Sequence, residues 1–402
     1  MAGGALIVGA SLSGLRVAEQ LRATGYDGSI TVAGAERHMP YNRPPLSKDV
    51  LFDDGPNPLA KLMFSIRPAL SDVIWYLGQP AVSSDLDART VSLADGRTLS
   101  YDVLAIATGL TPRRLPLVGA ETCRHVVRTI DDAIALRSVL VPNAKVVVAG
   151  GGFIGCETAA SAKKRGCSVT IVEPLALPMG RALGDELANA IKAYHEAHDV
   201  QFRLGTTIQG LLLDPADPQR LTAVSLSDGT DLQADVLIEA VGSVCNIEWL
   251  HGNRLDLSDG ALTDNHLRVK SRPDVTAAGD IARFPNPRYG PTPRRIEHWA
   301  IPGLTAKRAA RSMAARLKGE EPDSNVFDPL PTFWSDQFGI RLQSVGNPAL
   351  ADQAGLIEGA LSNLGKPGHG LAMGYWKDGA MIGVISIGLP AAKLSEYRAM
   401  LG

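Results

Sequence analysis

One stretch, Lys145 to Glu173, limits what this chain can fold into more than any other. It reads as strand, glycine turn, helix, strand, acid. Val146, Val147 and Val148 form the short apolar run of a strand buried on both faces. Gly150, Gly152 and Gly155 fill the G-x-G-x-x-G spacing. In such a turn the first glycine permits the bend, the second lets a pyrophosphate approach the backbone, and the third lets helix and strand pack closely. The predicted helix, Ile154 to Arg165, aims its free N–H groups and positive dipole end at the phosphates. Val169 to Val172 is the second strand. Glu173 stands at its end, where an acid accepts hydrogen bonds from an adenosine ribose. A 2′-phosphate there would face a carboxylate. At about 4 Å and an effective dielectric near 20, a unit of like charge costs on the order of 4 kcal/mol before screening. Half of that is a preference of roughly thirtyfold. Pro174 follows rather than an arginine, so the expected cofactor is NAD(H).

The same unit occurs earlier. Ala5 to Ala10 is a strand, and Gly9, Ser11 and Gly14 repeat the turn, with Ser11 in the middle position where a Cβ restricts the backbone. The helix runs to about Thr24, Ser29 to Ala33 is the next strand, and Glu36 is the nearest acid beyond it. Each unit has a matching exit, a buried strand ending in a small-residue turn: Tyr101 to Gly109 in the first, Ala234 to Gly242 in the second. Two dinucleotide folds in a chain of 402 residues imply two nucleotides and two or three domains. A net charge of −2 gives no reason to expect a nucleic-acid partner. No apolar run approaches the roughly 18 residues a membrane span needs, and the N-terminus passes straight into a strand, so no signal peptide is expected. Cys123, Cys156, Cys167 and Cys245 are spaced neither as C-x-x-C nor as zinc ligands. Free thiols, no metal site and a reducing, cytoplasmic location are the expectation.

Other segments leave alternatives open. Pro44 and Pro45 predict an extended path for His38 to Lys48. Its cations, Arg43 and Lys48, belong either to a solvated surface turn or to a clamp on a phosphate or redox ring. Asp95-Gly96, Asp228-Gly229 and Asp378-Gly379 mark hairpins. After Gly279, Asp280 either caps a helix or bonds a cofactor's polyol hydroxyl. Arg294 to Arg316 is a predicted helix whose start carries Arg295, Glu297, His298 and Trp299. Lys318 to Asn325 reads as a linker to a small α/β or β-rich domain holding Phe333-Trp334-Ser335-Asp336-Gln337 and a terminal helix.

Taken in order, Gly9-x-Ser11-x-x-Gly14, Pro40-Tyr41-Asn42-Arg43-Pro44-Pro45-Leu46-Ser47-Lys48, Ala107-Thr108-Gly109, Gly150 to Glu157, Ala278-Gly279-Asp280 and Phe333 to Gln337 resemble the FAD-containing, NADH-dependent ferredoxin reductases of bacterial oxygenase systems, the putidaredoxin, rhodocoxin and biphenyl-dioxygenase reductase family. The resemblance covers nearly the whole chain. It implies an α/β, glutathione-reductase-like fold with two Rossmann-type dinucleotide-binding domains and a C-terminal α+β domain. The FAD domain would be discontinuous, 1–110 and 242–318; the NAD domain would be 111–241; residues 319–402 would cover the flavin. By motif position FAD would be held by Gly9, Ser11, Ser13, Gly14, Glu36, Arg43, Lys48 and Val82, then by Thr108, Gly109, Arg128, Gly279, Asp280, Glu297, His298 and Trp299. NADH would be held by Gly150, Gly152, Phe153, Ile154, Gly155, Glu157, Glu173, Arg181 and Gly242. Three departures from the family pattern stand out. Ser11 replaces a glycine. Ala35 stands where many members carry an acid, which moves the ribose contact to Glu36. The run His298-Trp299-Ala300-Ile301-Pro302, expected near the isoalloxazine, differs from the usual one.

The implied reaction passes hydride from nicotinamide C4 to flavin N5, with Lys48 as the cation that stabilises developing charge and Glu157 as its partner. More plainly, Glu157 has a favourable place near a helix N-terminus. Electrons would leave singly to a [2Fe–2S] ferredoxin serving a cytochrome P450 or Rieske-type oxygenase. Arg294, Arg295, Arg308, Arg311 and Trp334 would form the docking face, unless those arginines are only the solvated side of a helix. Disulfide reductases need a cysteine pair that this chain does not show. The other class is an NADH-dependent flavoprotein oxidoreductase or redox sensor of the apoptosis-inducing-factor or NADH-oxidase type.

Overall fold

The computed structural model of the chain describes residues 4–53 and 55–402. These form two compact units, each discontinuous in sequence. The first takes in residues up to Asn42, Leu59–Thr111 and Val244–Pro331; the second takes in Arg43–Pro58, Pro112–Ser243 and Thr332–Gly402.

In the first unit, a six-stranded sheet runs in the order Arg268–Val269, Arg272–Ala277, Val103–Ile106, Ala5–Val8, Ile30–Gly34, Ile74–Leu77. All its pairs are parallel except the first. Ala5, Leu6, Ile7 and Val8 are all buried, as a strand covered on both faces requires. The helices Leu12–Ala23 and Ile301–Lys318 complete this core, with Leu15, Val17, Ala306 and Ala310 packed among the strand residues.

The second unit holds two five-stranded sheets and a smaller antiparallel one in the order Ile208–Asp214, Asp217–Leu226, Asp231–Gln233. Of the five-stranded sheets one is parallel, in the order Val200–Leu204, Ser168–Glu173, Lys145–Ala149, Val236–Glu239, Arg124–His125. The other is antiparallel, in the order Thr332–Gln337, Ile340–Gly346, Ala380–Ile387, Leu371–Lys377, Gln353–Glu358, and is followed by the helix Ala391–Leu401. The Asp95-Gly96, Asp228-Gly229 and Asp378-Gly379 hairpins all form.

Three local readings change. Pro44–Ser47 is a turn of 3-10 helix followed by the short helix Asp49–Phe52, not an extended path. Proline's fixed φ suits the first turn of a helix as well as an extended strand. The helix predicted from Arg294 starts only at Ile301, with Pro302 in its first turn, where a missing N–H costs nothing. Asp280 caps no α-helix: it sits within the 3-10 turn Gly279–Ile281, and the chain then re-enters a strand.

Candidate functional site

Each unit presents a glycine turn at the C-terminal end of its central strands. In the first, Gly9 has φ +125°, and a Cβ there would lie 2.0 Å from the Ala107 carbonyl oxygen. Ser11 begins the helix Leu12–Ala23 with φ −113° and ψ −160° and makes no side-chain capping bond. No acid lies in that first turn, so the helix N-terminus is electrostatically open to an anion. Gly279 is held against it: its N–H donates to Thr305 Oγ1 at 2.9 Å, and a Cβ on it would strike Ser13 Oγ.

The other expected residues of the first unit fall as follows. Thr108 and Gly109 are tied to Asn246, whose carbonyl accepts from Thr108 Oγ1 at 2.7 Å and whose amide donates to the Thr108 carbonyl at 2.9 Å. Glu36 accepts from the Tyr41 hydroxyl at 2.5 Å. Glu297 pairs with Arg295, which also bonds the Asp280 carbonyl. Desolvation pushes the His298 imidazole down to a pKa of about 4. Trp299 is exposed, as is Val82 on its own three-stranded sheet.

In the second unit, Gly150 has φ +100°, and its Cβ would lie 2.3 Å from the Ala240 carbonyl oxygen. Gly155 crosses close to Gly150, as Gly14 does to Gly9. Gly152 opens the helix Phe153–Lys164, and a Cβ there would meet nothing within 4 Å. That open space above an acid-free first turn fits a pyrophosphate. Glu173 folds back on the turn, accepting from the N–H of Gly151 at 2.7 Å and of Leu175 at 2.9 Å. Its oxygens keep further lone pairs. Arg181 lies in the first turn of Gly180–Glu196, and Gly242, with φ +93°, borders open space at the exit of Val236–Glu239. Ile154 is exposed, and Phe153 packs edge-on against Phe333 with ring centres 4.9 Å apart.

The Pro44–Lys48 turn belongs to this second unit. Arg43 donates to the Arg128 carbonyl at 2.6 Å. Lys48 Nζ lies 2.7 Å from Glu157 Oε2, and their side chains are only 13% and 3% exposed. One helical turn beyond Glu157, Ser161 Oγ donates to the Ser47 carbonyl at 2.8 Å, so a single helix face grips the turn twice.

One expectation is corrected. Arg308 cannot contribute to a docking face. It is buried, bonding Asp323 and His266 at 2.7 Å each and the Asn325 carbonyl at 2.7 Å. What reads as a solvated helix side is a polar seam that pins residues 323–325 onto the helix. Arg295 is largely consumed as well, by Asp259 and Glu297. Arg294 and Arg311 lie in the first unit, while Trp334 lies on a strand of the second.

Sequence reasoning assigned no role to Asn246, Ser47, Ser161, Ser335 or Gln337. The i,i+4 spacing of Glu157 and Ser161 on a helix, and the i,i+2 spacing of Ser335 and Gln337 on a strand, were the available signals. The four cysteines are free thiols. Burial raises the Cys156 pKa far above its ordinary value, with the neighbouring Glu157 and Glu173 adding to the effect. Among the described residues no group of three or more metal-ligating side chains occurs, and no helix is long and apolar enough to cross a membrane.

The chain is similar to known proteins. The family model described as pyridine nucleotide-disulphide oxidoreductase matches residues 5–301. Rhodocoxin reductase of Rhodococcus erythropolis is 36% identical over 352 residues, spanning 86% of this chain and 79% of that protein. The ferredoxin–NAD(+) reductase component of the anthranilate 1,2-dioxygenase system of Burkholderia cepacia is 35% identical over 351 residues, 85% of this chain and 81% of that one. A solved structure, the covalent putidaredoxin reductase–putidaredoxin complex, superposes with a TM-score of 0.89 at 30% identity, covering 99% of this chain and 93% of the other. On fold, motif and sequence alike, the chain belongs to the pyridine nucleotide-disulphide oxidoreductase family.

Proposed function

We propose that this chain is an NADH-dependent ferredoxin reductase, carrying electrons from NADH through FAD to a small [2Fe–2S] ferredoxin that serves a cytochrome P450 or Rieske-type oxygenase. Its relatives' names support the reading, and one observation carries it: the dehydrated Lys48–Glu157 pair beside a nucleotide turn. A cation so held suits a place where negative charge develops during reaction, because no solvent must reorganise around it. FAD, when bound, accepts a hydride and releases electrons one at a time.

The chain's residues bind and orient. The 9–14 turn with Gly279 and Asp280 would take the flavin nucleotide's pyrophosphate and polyol, in a domain of 1–110 and 242–318. The 150–155 turn of the 111–241 domain would take NADH, with Glu173 on its ribose. The carboxylate there favours NADH over a 2′-phosphorylated cofactor. Residues 319–402 would shield the flavin. Arg294 and Arg311, with Trp334, are the proposed ferredoxin contacts, and a steep salt dependence of ferredoxin turnover is the expected sign. Cys156 fits poorly as a single reactive cysteine, because it is buried and its thiolate disfavoured.

Lys48→Met is expected to slow flavin reduction by NADH on the order of a hundredfold while flavin content is unchanged. An unchanged stopped-flow rate refutes the role of Lys48. Cytochrome c reduction that does not rise on adding a small iron–sulfur protein would favour a sensor or oxidase-type flavoprotein instead.

A further inference from the structure

The two oxygens of Glu157 are engaged separately. Oε2 accepts from Ser47 Oγ at 2.6 Å and from Lys48 Nζ at 2.7 Å. Oε1 accepts from Ser335 Oγ at 2.6 Å. Ser335 is backed in turn: its Oγ accepts from Gln337 Nε2 at 2.9 Å, and Gln337 Oε1 lies 2.7 Å from His195 Nε2. An amide oxygen can only accept, so Nε2 of His195 carries the proton. Burial keeps that ring neutral, holding its pKa near 4. The donors along this line therefore point one way, His195 to Gln337, Gln337 to Ser335 and Ser335 to the carboxylate, while the Gln337 amide also donates to Met179 Sδ at 3.6 Å. Ser335, Gln337 and His195 are 1%, 3% and 0% exposed, so no water competes for these bonds.

This arrangement does more than satisfy a buried oxygen. The last torsion of a glutamate side chain is broad and nearly two-fold, so bonds at one oxygen leave the carboxylate plane poorly set. Ser47 and Lys48 both hold Oε2 and both come from the same short turn. The bond at Oε1 comes from elsewhere, a strand whose alternation puts Phe333, Ser335 and Gln337 on one face, with Phe333 against Phe153 of the Glu157 helix. Bonds aligned head to tail also polarise one another.

We propose that Ser335, backed by Gln337 and His195, is a positioning residue for Lys48: it fixes the plane of the Glu157 carboxylate so that the other oxygen is aimed at the Lys48 ammonium. The inference rests on the reading of Lys48 and Glu157 given under the proposed function, and it predicts that Ser335 acts only through Glu157.

The test uses the purified flavin-loaded protein in four forms: Ser335→Ala, Ser335→Thr, Glu157→Ala, and Glu157→Ala combined with Ser335→Ala. Two quantities are read, the rate of flavin bleaching by NADH and the flavin midpoint potential by dye equilibration. Ser335→Ala should slow bleaching about tenfold, as a modest misplacement of a catalytic group does, and lower the potential. Ser335→Thr, which keeps the hydroxyl, should restore both. The double variant should be no slower than Glu157→Ala alone, the signature of a coupled pair. If Ser335→Ala folds poorly, Gln337→Leu tests the same line one bond removed and should slow bleaching about threefold, a smaller misplacement. Should Glu157→Ala be slow while Ser335→Ala matches the parent in rate and potential, the inference alone is overturned. Losses that multiply in the double variant overturn it too. A Glu157→Ala protein indistinguishable from the parent overturns the underlying reading of the pair, and the inference with it.

Discussion

The two nucleotide turns are built alike and finished differently. Both place a positive-φ glycine where a Cβ would drive into the carbonyl of the exit strand, 2.0 Å from Ala107 in one unit and 2.3 Å from Ala240 in the other. They part company at the acid. In the second unit Glu173 ends its strand and bonds the N–H of Gly151, so the carboxylate proposed to meet a ribose also braces the turn. In the first unit the strand Ile30–Gly34 ends without an acid, and Glu36 is bonded by Tyr41 instead. The part of the motif that is sterically forced is thus duplicated faithfully. The acid, which no steric contact forces, differs between them.

The strongest way to break the likeness is to substitute the forced positions. Gly9→Ala and Gly150→Ala each combine a clash with the neighbouring strand and a backbone conformation that L-residues avoid. Each should lose on the order of 3 kcal/mol or more by urea unfolding. A large loss in one and a trivial loss in the other would mean that the two turns are not equivalent after all.

Acid should reach both units through desolvated histidines, with His125 and His266 lowered as well as the two that shift furthest. His195 and His298 are both pushed down to a pKa of about 4, chiefly by desolvation. A histidine depressed in the folded state binds its proton first in the unfolded chain. Below the ordinary value of 6.5, protonation therefore favours unfolding, and stability falls progressively until about pH 4, where the folded ring also takes the proton. For the fully buried His195 the interval corresponds to about 3 kcal/mol at its lower end. Unfolding measured at pH 7 and pH 4.5 should show this loss. His195→Gln, which can still donate toward Gln337, should flatten it.

The acids themselves give a smaller contrast. Glu173→Ala strands two backbone N–H groups and should cost about 2 kcal/mol, with the NADH-over-NADPH preference shrinking in steady-state kinetics. Glu36→Ala removes the acceptor of Tyr41 and should cost about 1 kcal/mol. Equal costs would show that the first unit's acid braces its turn by another route.

The same contrast explains what was legible in the sequence. Strand, turn and helix follow from local rules, so the paired turns and the hairpins could be read directly, and the family resemblance carried the fold. The surroundings of Glu157 could not be read that way. Its partners Ser47 and Ser335 lie 110 and 178 residues away in the chain, and nothing local announces that two serines converge on one carboxylate. Arg308 was misread for a related reason. An arginine on an alanine-rich helix has the same pattern whether it faces solvent or a buried seam, and only the returning segment at Asp323–Asn325 decides. At Pro44-Pro45 the torsion that proline fixes is shared by extended and 3-10 backbone, so neighbouring packing makes the choice.

The middle position of the turn offers the subtlest test of the comparison. Ser11 replaces the glycine found at Gly152, and a Cβ there was expected to restrict the backbone. Yet both residues are extended with negative φ, −113° at Ser11 and −75° at Gly152, a region open to any L-residue. A Cβ at Gly152 also meets nothing within 4 Å. The glycine at this position is therefore unnecessary for the fold, and any demand for it comes from a ligand that must approach the backbone. Gly152→Ser and Ser11→Gly should each change unfolding free energy by less than about 0.5 kcal/mol. Nucleotide affinity is where they should separate. Gly152→Ser should weaken NADH binding measured by flavin-charge-transfer titration or calorimetry, because the added atoms occupy the space above the helix N-terminus. Ser11→Gly should leave flavin retention unchanged, because the first unit already folds with a side chain there. If instead Gly152→Ser cost stability and spared affinity, the middle glycine would belong to the fold rather than to the ligand.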